Sequence, residues 1–108
     1  MTDAASRVYG PAQPGTTNGT LYTVPGATSA VIRNIHICNT TGTAATVSLA
    51  VNGSAATAAN LFIAAQNIPA NGSYDWSGFL ALATAETIQG LQGTLNACTV
   101  TISGVLIT

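Results

Sequence analysis

From Thr20 onward, the chain alternates short runs of β-branched, leucine and aromatic residues with clusters of Pro, Gly, Asn and Thr. Such runs indicate β-strands, and the residues between them are typical of turns. The clearest turn signal is Asn52-Gly53, a pair that favours a tight hairpin. The predicted strands are 21–24, 30–39, 47–51, 61–63, 73–77, 79–82, 87–89 and 95–107. About seven or eight short antiparallel strands at regular spacing are typical of an all-β sandwich or barrel. The length of 108 residues fits a single domain.

Three of these segments carry more specific expectations. The alternation in 30–39 places three residues on an apolar face that Arg33 interrupts: Val31, Ile35 and Ile37. In 95–107, three apolar residues share a face around Gly104, where a bulge is expected: Val100, Ile102 and Leu106. The alanine-rich stretch 54–66 is different, because its composition is compatible with a short helix.

Residues 1–19 do not follow the strand pattern, since they contain five residues that restrict or loosen the backbone: Gly10, Pro11, Pro14, Gly15 and Gly19. Proline removes a hydrogen-bond donor and glycine adds conformational entropy, so we expect neither a helix nor a central strand here. The sequence predicts an extended N-terminal arm over 1–19 and a β-sandwich domain over 20–108. Val8 and Tyr9 give this arm apolar groups that would dock on a partner.

Charged residues are unusually rare, at 5% of the chain, and lysine is absent. An ordinary soluble domain is about 25% charged. Nucleic-acid binding and polybasic membrane attachment both depend on Lys and Arg, and two arginines 26 positions apart do not provide for either. No apolar stretch approaches the roughly 20 residues of a membrane span, and the first residues lack the pattern of a signal peptide. We expect a soluble protein made in the cytoplasm, with neither nucleic acid nor membrane as a partner.

A surface with so few charges must be hydrated by neutral groups, here 17 Thr, 8 Asn and 7 Ser. Little electrostatic repulsion then opposes association between molecules. Strands of Thr, Ala, Val and Ser also lose little side-chain entropy when they pack, and they bury few charges. The composition therefore favours a protein that packs against other subunits.

Few residues are available for catalysis or metal binding. His36 and Cys38 lie two residues apart on one strand face, about 7 Å from each other, which is too far for a hydrogen-bonded dyad. With Cys98 they would supply three zinc ligands, but no second histidine or Cys-x-x-Cys pair supports such a site. Asp75 and Glu86 are the remaining acid pair for glycoside hydrolysis. We expect no enzyme, no cofactor and no metal.

The two cysteines leave two interpretations open. Cys38 and Cys98 could form one disulfide that closes a long loop, or they could be free thiols that pack as small hydrophobic groups. Disulfides are rare in cytoplasmic proteins. We therefore favour two free thiols.

Four segments resemble small virion proteins of tailed bacteriophages: LYTVP at 21–25, IHICNTT at 35–41, IPANGS at 68–73 and VTISGV at 100–105. The resemblance covers about residues 20–108, leaves the arm outside, and rests on motifs at strand corners. It implies a β-sandwich or jelly-roll-like fold and a structural component of the virion. Such proteins occur as capsid decoration, or cement, proteins and as parts of tails and fibres. No functional residues are carried over.

The leading hypothesis is a capsid decoration protein, assembled in the host cytoplasm, that binds the outer surface of the phage head as a homotrimer. Its partners would be the major capsid protein and its own copies. Three arm residues would contact the capsid: Val8, Tyr9 and Pro11. The alternative is a tail or fibre-tip domain that recognises host glycans through Tyr74, Asp75 and Trp76, although such aromatic residues also fill cores.

Overall fold

The computed structural model describes residues 3–52 and 60–108, and within these ranges it contains eight β-strands and no helix. The strands are β1 (Asp3–Ala12), β2 (Gly19–Thr23), β3 (Ser29–Asn39), β4 (Ala45–Val51), β5 (Leu61–Ile68), β6 (Ser73–Leu82), β7 (Thr87–Gln92) and β8 (Cys98–Ile107). The all-β prediction is confirmed.

The strands form two antiparallel sheets of four strands each. Sheet A has the order β1-β8-β3-β6, and sheet B has the order β2-β7-β4-β5. β1 pairs with β8, β2 with β7, β3 with β6 and β4 with β5, as in a long hairpin rolled up on itself. This arrangement is a jelly roll, the two-sheet sandwich built from eight strands.

The core lies between the two sheets and is formed by the inward-facing residues of both. Its largest fully buried apolar side chains are Ile32, Ile35, Ile37, Leu49, Ile68, Ile88, Ile102, Val24, Val47 and Val100. The predicted face of β8 is confirmed, since Val100 and Ile102 are fully buried and Leu106 packs against the same cluster. At one side of the sandwich, the rings of Phe62 on β5 and Trp76 on β6 meet edge to face at 5.9 Å between centroids.

The alternation of β3 breaks at Arg33. Ile32 and Asn34 pair with adjacent residues of β8, so Arg33 is an extra residue and forms a bulge. The bulge reverses the alternation, and Ile32 and Ile35 consequently both face the core. The expectation that Val31 shares the face of Ile35 is therefore wrong. Val31 is on the outer face and only half-buried.

The prediction of a separate N-terminal arm is wrong for residues 3–12. These residues form β1, which pairs with β8 from Asp3↔Ile107 to Ala12↔Val100 and completes sheet A. β1 lies at the edge of the sheet, and edge strands tolerate proline because one side needs no ladder hydrogen bonds. Because β1 is an edge strand, the expectation that residues 3–12 form no central strand is confirmed.

Two predictions around β5 need correction. The short helix that the composition of 54–66 would support does not form over 61–66, which pair with β4 as an edge strand; the strand predicted at 61–63 is present and extends to Ile68, and residues 53–59 lie outside the described residues. The second prediction is the tight hairpin at Asn52-Gly53. Asn52 has a positive φ of 60°, which asparagine tolerates in turns, but the next strand, β5, begins only at Leu61. The connection between β4 and β5 is therefore longer than a two-residue hairpin.

Candidate interaction surface

The outer face of sheet A carries rows of side chains that run across its four strands. Residues directly opposite each other in an antiparallel pair point to the same side of the sheet. One row is polar and ends in a cation: Ser77, Asn34, Ser103 and Arg7. The next row towards the C-terminal end of β8 is apolar and made of small residues: Ala81, Val31, Val105 and Ala5. Neutral, short side chains therefore make up most of this face.

A third row contains the hydrogen-bonded pair His36 and Asp75. These residues face each other on β3 and β6, and Nδ1 of His36 lies 2.6 Å from Oδ1 of Asp75. Both side chains are well exposed, at 45% and 58%. Thr101 of β8 is the register partner of His36 on its other side. The structure thus joins the histidine to an acid that is 39 positions away in the sequence.

The candidate zinc ligands are not assembled. Cys38 and Cys98 are on neighbouring strands but on opposite faces of sheet A, since Cys38 pairs with Thr99 and Cys98 is buried opposite Asn39. Within residues 3–52 and 60–108, no group of three or more His, Cys, Asp or Glu side chains lies close enough to hold a metal ion. No pocket occurs in the same part of the chain.

Both cysteines are free thiols, as the preferred interpretation expects. Their placement on opposite faces explains this, because a disulfide requires the two Cβ atoms to approach each other. Burial raises the pKa of the Cys98 thiol, and the proximity of Cys38 adds a smaller contribution. Cys38 remains partly accessible at the outer face.

Glu86 is not part of an acid pair with Asp75. It precedes β7, where its carboxylate accepts hydrogen bonds from the backbone N–H of Ala83 at 2.6 Å and from Nδ2 of Asn52 at 2.9 Å. These bonds, the one from Ala83 first, lower the pKa of Glu86. Asn52 also accepts a bond from the Thr87 N–H. The carboxylate thus fixes a turn before β7, while Asp75 lies near the start of β6.

The residues expected to dock on the capsid lie largely inside the domain. Val8 and Tyr9 are half-buried and pack against the core, and burial raises the pKa of Tyr9. Pro11 is exposed. Their contact with a capsid stays a prediction, but the domain itself already uses the first two side chains.

The aromatic–acid cluster of the glycan hypothesis is divided between two faces. Tyr74 and Trp76 pack against the core, whereas Asp75 points outward to His36. The period-two alternation of a strand imposes this separation. The structure therefore does not bring the three residues together as a binding site.

Sequence reasoning did not identify the two arginines as neighbours. Arg7 and Arg33, the two Lys or Arg residues of the chain, are both exposed on sheet A. Arg7 belongs to the row of Ser103 and Asn34, and Arg33 directly precedes Asn34 on β3. Strands two apart in a sheet are separated by about 10 Å. Neither arginine forms an ion pair with another residue that the structure describes.

Phe79 lies beside Arg33 on the same face. Between the pairs Ile32↔Leu80 and Asn34↔Ser77, β3 contributes Arg33 and β6 contributes Gly78 and Phe79. The Phe79 side chain is 71% exposed. An aromatic ring and two cations therefore project together from the bulged part of sheet A.

Comparisons with known proteins add no assignment: no family model matches the chain, and no curated protein matches it significantly in sequence. No helix in the described ranges has the length and apolar character that crossing a bilayer requires.

Proposed function

We propose that the chain is a structural protein of a phage virion, and specifically a capsid decoration protein that binds the outer surface of the head. The observation that carries the proposal is the outer face of sheet A, where rows of short neutral side chains flank three charged residues, Arg7, Arg33 and Asp75, and no pocket occurs among the described residues. Such a surface suits close packing against a large assembly. The jelly roll is also common among viral capsid domains, although a fold by itself does not determine a function.

In this proposal, the protein stabilises the head by mass action. Each bound copy favours the assembled shell over the dissociated one, and many copies contribute together. Because Val8 and Tyr9 pack within the domain, the main capsid contact is assigned to the outer face of sheet A, with Pro11 at its margin. Copies of the chain would contact each other through sandwich edges, in a trimer.

The location and copy number in purified virions test this function. A gold-labelled antibody against the chain should decorate heads, and quantitative gel analysis should give hundreds of copies per particle. Heads that lack the protein should lose DNA at a lower temperature than complete heads. Only a few copies, located at the tail, would contradict a decoration role and favour a tail component. Absence from particles would contradict any virion role.

A further inference from the structure

We propose that the outer face of sheet A docks on an acidic protein surface through Arg7, Arg33 and Phe79. The inference rests on the proposed function for the identity of that surface, which would be the exterior of the assembled head. Its chemistry comes from the side chains themselves: two guanidinium groups bind carboxylates, and the ring of Phe79, which lies on the side of Arg33 away from Arg7, enters an apolar depression next to the carboxylate that binds Arg33.

The patch has the composition of an interface centre. Arg and aromatic residues are enriched at the energetic centres of protein interfaces, because they combine large contact area with directional bonding. The chain contains two phenylalanines, and Phe79 is 71% exposed, which is unusual for this residue type. The row of Ala81, Val31, Val105 and Ala5 extends the apolar area beside it without long side chains that would block an approach.

Both arginines have unused capacity to bind carboxylates. Arg7 and Arg33 have no ion-pair partner among the described residues, and the strands that carry them, β1 and β3, are about 10 Å apart on either side of β8. A guanidinium donates up to five hydrogen bonds and pairs with carboxylates in a planar, two-bond geometry. Two carboxylates at matching separation on one partner would satisfy both groups.

The charges of the patch disfavour a second copy of the chain as the occupant. A two-fold contact through this face would bring Arg7 and Arg33 of one copy close to those of the other, and the like charges would repel. Two carboxylates that a second copy offers already have partners: Asp75 bonds to His36, and Glu86 bonds to Ala83 and Asn52. Charge complementarity therefore favours a different, acidic partner.

The test compares the binding of variants to heads purified without this protein. Arg7→Ala combined with Arg33→Ala, and separately Phe79→Ala, should each weaken binding by about tenfold or more, the size expected at an interface centre. Arg7→Lys with Arg33→Lys should recover part of the loss, because it restores the charge but not the two-bond geometry. Leu95→Ala is the matched control, since Leu95 is 61% exposed but lies in the β7–β8 connection. All variants should retain the wild-type unfolding temperature.

Neutralising the carboxylates of the heads by amidation should abolish wild-type binding, and raised salt should weaken it. If the wild type binds heads and the arginine and phenylalanine variants bind equally well, the docking face is wrong while the proposed function stands.

If the wild type does not bind heads, the proposed function is wrong. In that case, the docking face is tested by measuring how the wild type and both variants bind to a mixed monolayer of carboxyl- and methyl-terminated thiols. Weaker binding by both variants supports the face, and equal binding overturns it.

Discussion

The side-chain oxygen of Gln92 accepts a hydrogen bond of 2.7 Å from the backbone N–H of Cys98, in the fully buried interior of the sandwich. The amide nitrogen of the same side chain donates to the carbonyl oxygen of Pro14. One glutamine at the end of β7 thus fixes both the start of β8 and the segment that joins β1 to β2.

We predict that Gln92→Leu lowers the free energy of unfolding by about 2–4 kcal/mol. The substitution keeps the side-chain volume but leaves a buried N–H and a buried C=O without partners, and each such group costs about 1–3 kcal/mol. Urea unfolding measures the change. The matched control is Gln13→Leu, at an exposed residue that makes a single hydrogen bond to Asn96. Equal stability of the two variants would contradict the role assigned to Gln92.

Deletion of residues 1–12 should abolish cooperative folding. The truncated chain lacks β1, so β8 loses one of its two strand neighbours, and the core loses Val8 and Tyr9. Thermal unfolding followed by circular dichroism measures the effect. Ala5→Ser, on the exposed side of the same strand, should change stability by less than about 0.5 kcal/mol. A truncated chain that unfolds at the wild-type temperature would restore the separate-arm interpretation.

Gly104 permits a close approach between β8 and β3, and Gly104→Ala should therefore be strongly destabilising. A Cβ atom at this position would lie 2.2 Å from the backbone oxygen of Val31, so the strands would have to separate. We expect a loss of about 3 kcal/mol or more, at the upper end of the cost of overpacking.

The control for this substitution is Gly26→Ala, because a Cβ at Gly26 would have no neighbour within 4 Å. Its stability should stay within about 0.5 kcal/mol of the wild type. If both alanine variants are equally stable, the strands adapt to the extra methyl group and the close approach is not a constraint.

Most of the sandwich is predictable because its strands obey local rules. Alternating apolar residues and turn clusters indicate β2 to β8 without knowledge of their partners. The bulge expected at Gly104 lies instead on the neighbouring strand β3, where Arg33 is the extra residue opposite Ser103 and Gly104. β1 escapes prediction because Gly10 and Pro11 disfavour a strand in general, and an edge position tolerates them. The bulge at Arg33 also escapes, since it is defined by the register with β8 and has no local signature.

The buried polar residues Asn39 and Gln92 form hydrogen bonds with other segments of the chain. Asn39 is 1% exposed, and its amide bonds to the carbonyl oxygens of Thr43 and Ile68 while its oxygen accepts from Thr41. Neither this arrangement nor that of Gln92 has a signal in the sequence beyond an amide near a strand end. The proximity of Arg7 and Arg33 likewise follows only from the strand order, which places β8 between β1 and β3.

The two thiols should react at different rates with a colorimetric disulfide reagent. Cys38 is partly accessible, whereas Cys98 is buried and has a raised pKa, which reduces its reactive thiolate at neutral pH. The native protein should rapidly release about one equivalent of the chromophore from the reagent. The second equivalent should appear only after denaturant is added. Cys38→Ser should remove the rapid phase. Rapid release of two equivalents from native protein would contradict the burial of Cys98.

The stability of the wild type should depend on the ionisation of Glu86, and Glu86→Gln should remove this dependence. The pKa of Glu86 is lower in the folded chain than its ordinary value, because Ala83 and Asn52 donate hydrogen bonds to the carboxylate. The charged form therefore favours folding above the unfolded pKa of about 4.3, and this contribution is lost as the pH falls through the folded pKa.

Urea midpoints of the wild type and Glu86→Gln should accordingly differ at pH 6–7, with the wild type more stable, and the difference should shrink as the pH falls below about 4. Because the cause is hydrogen bonding and not a neighbouring charge, the difference should persist in 0.5 M salt, where screening weakens exposed ion pairs. A difference that stays constant across the pH range would show that the carboxylate charge does not stabilise the turn before β7.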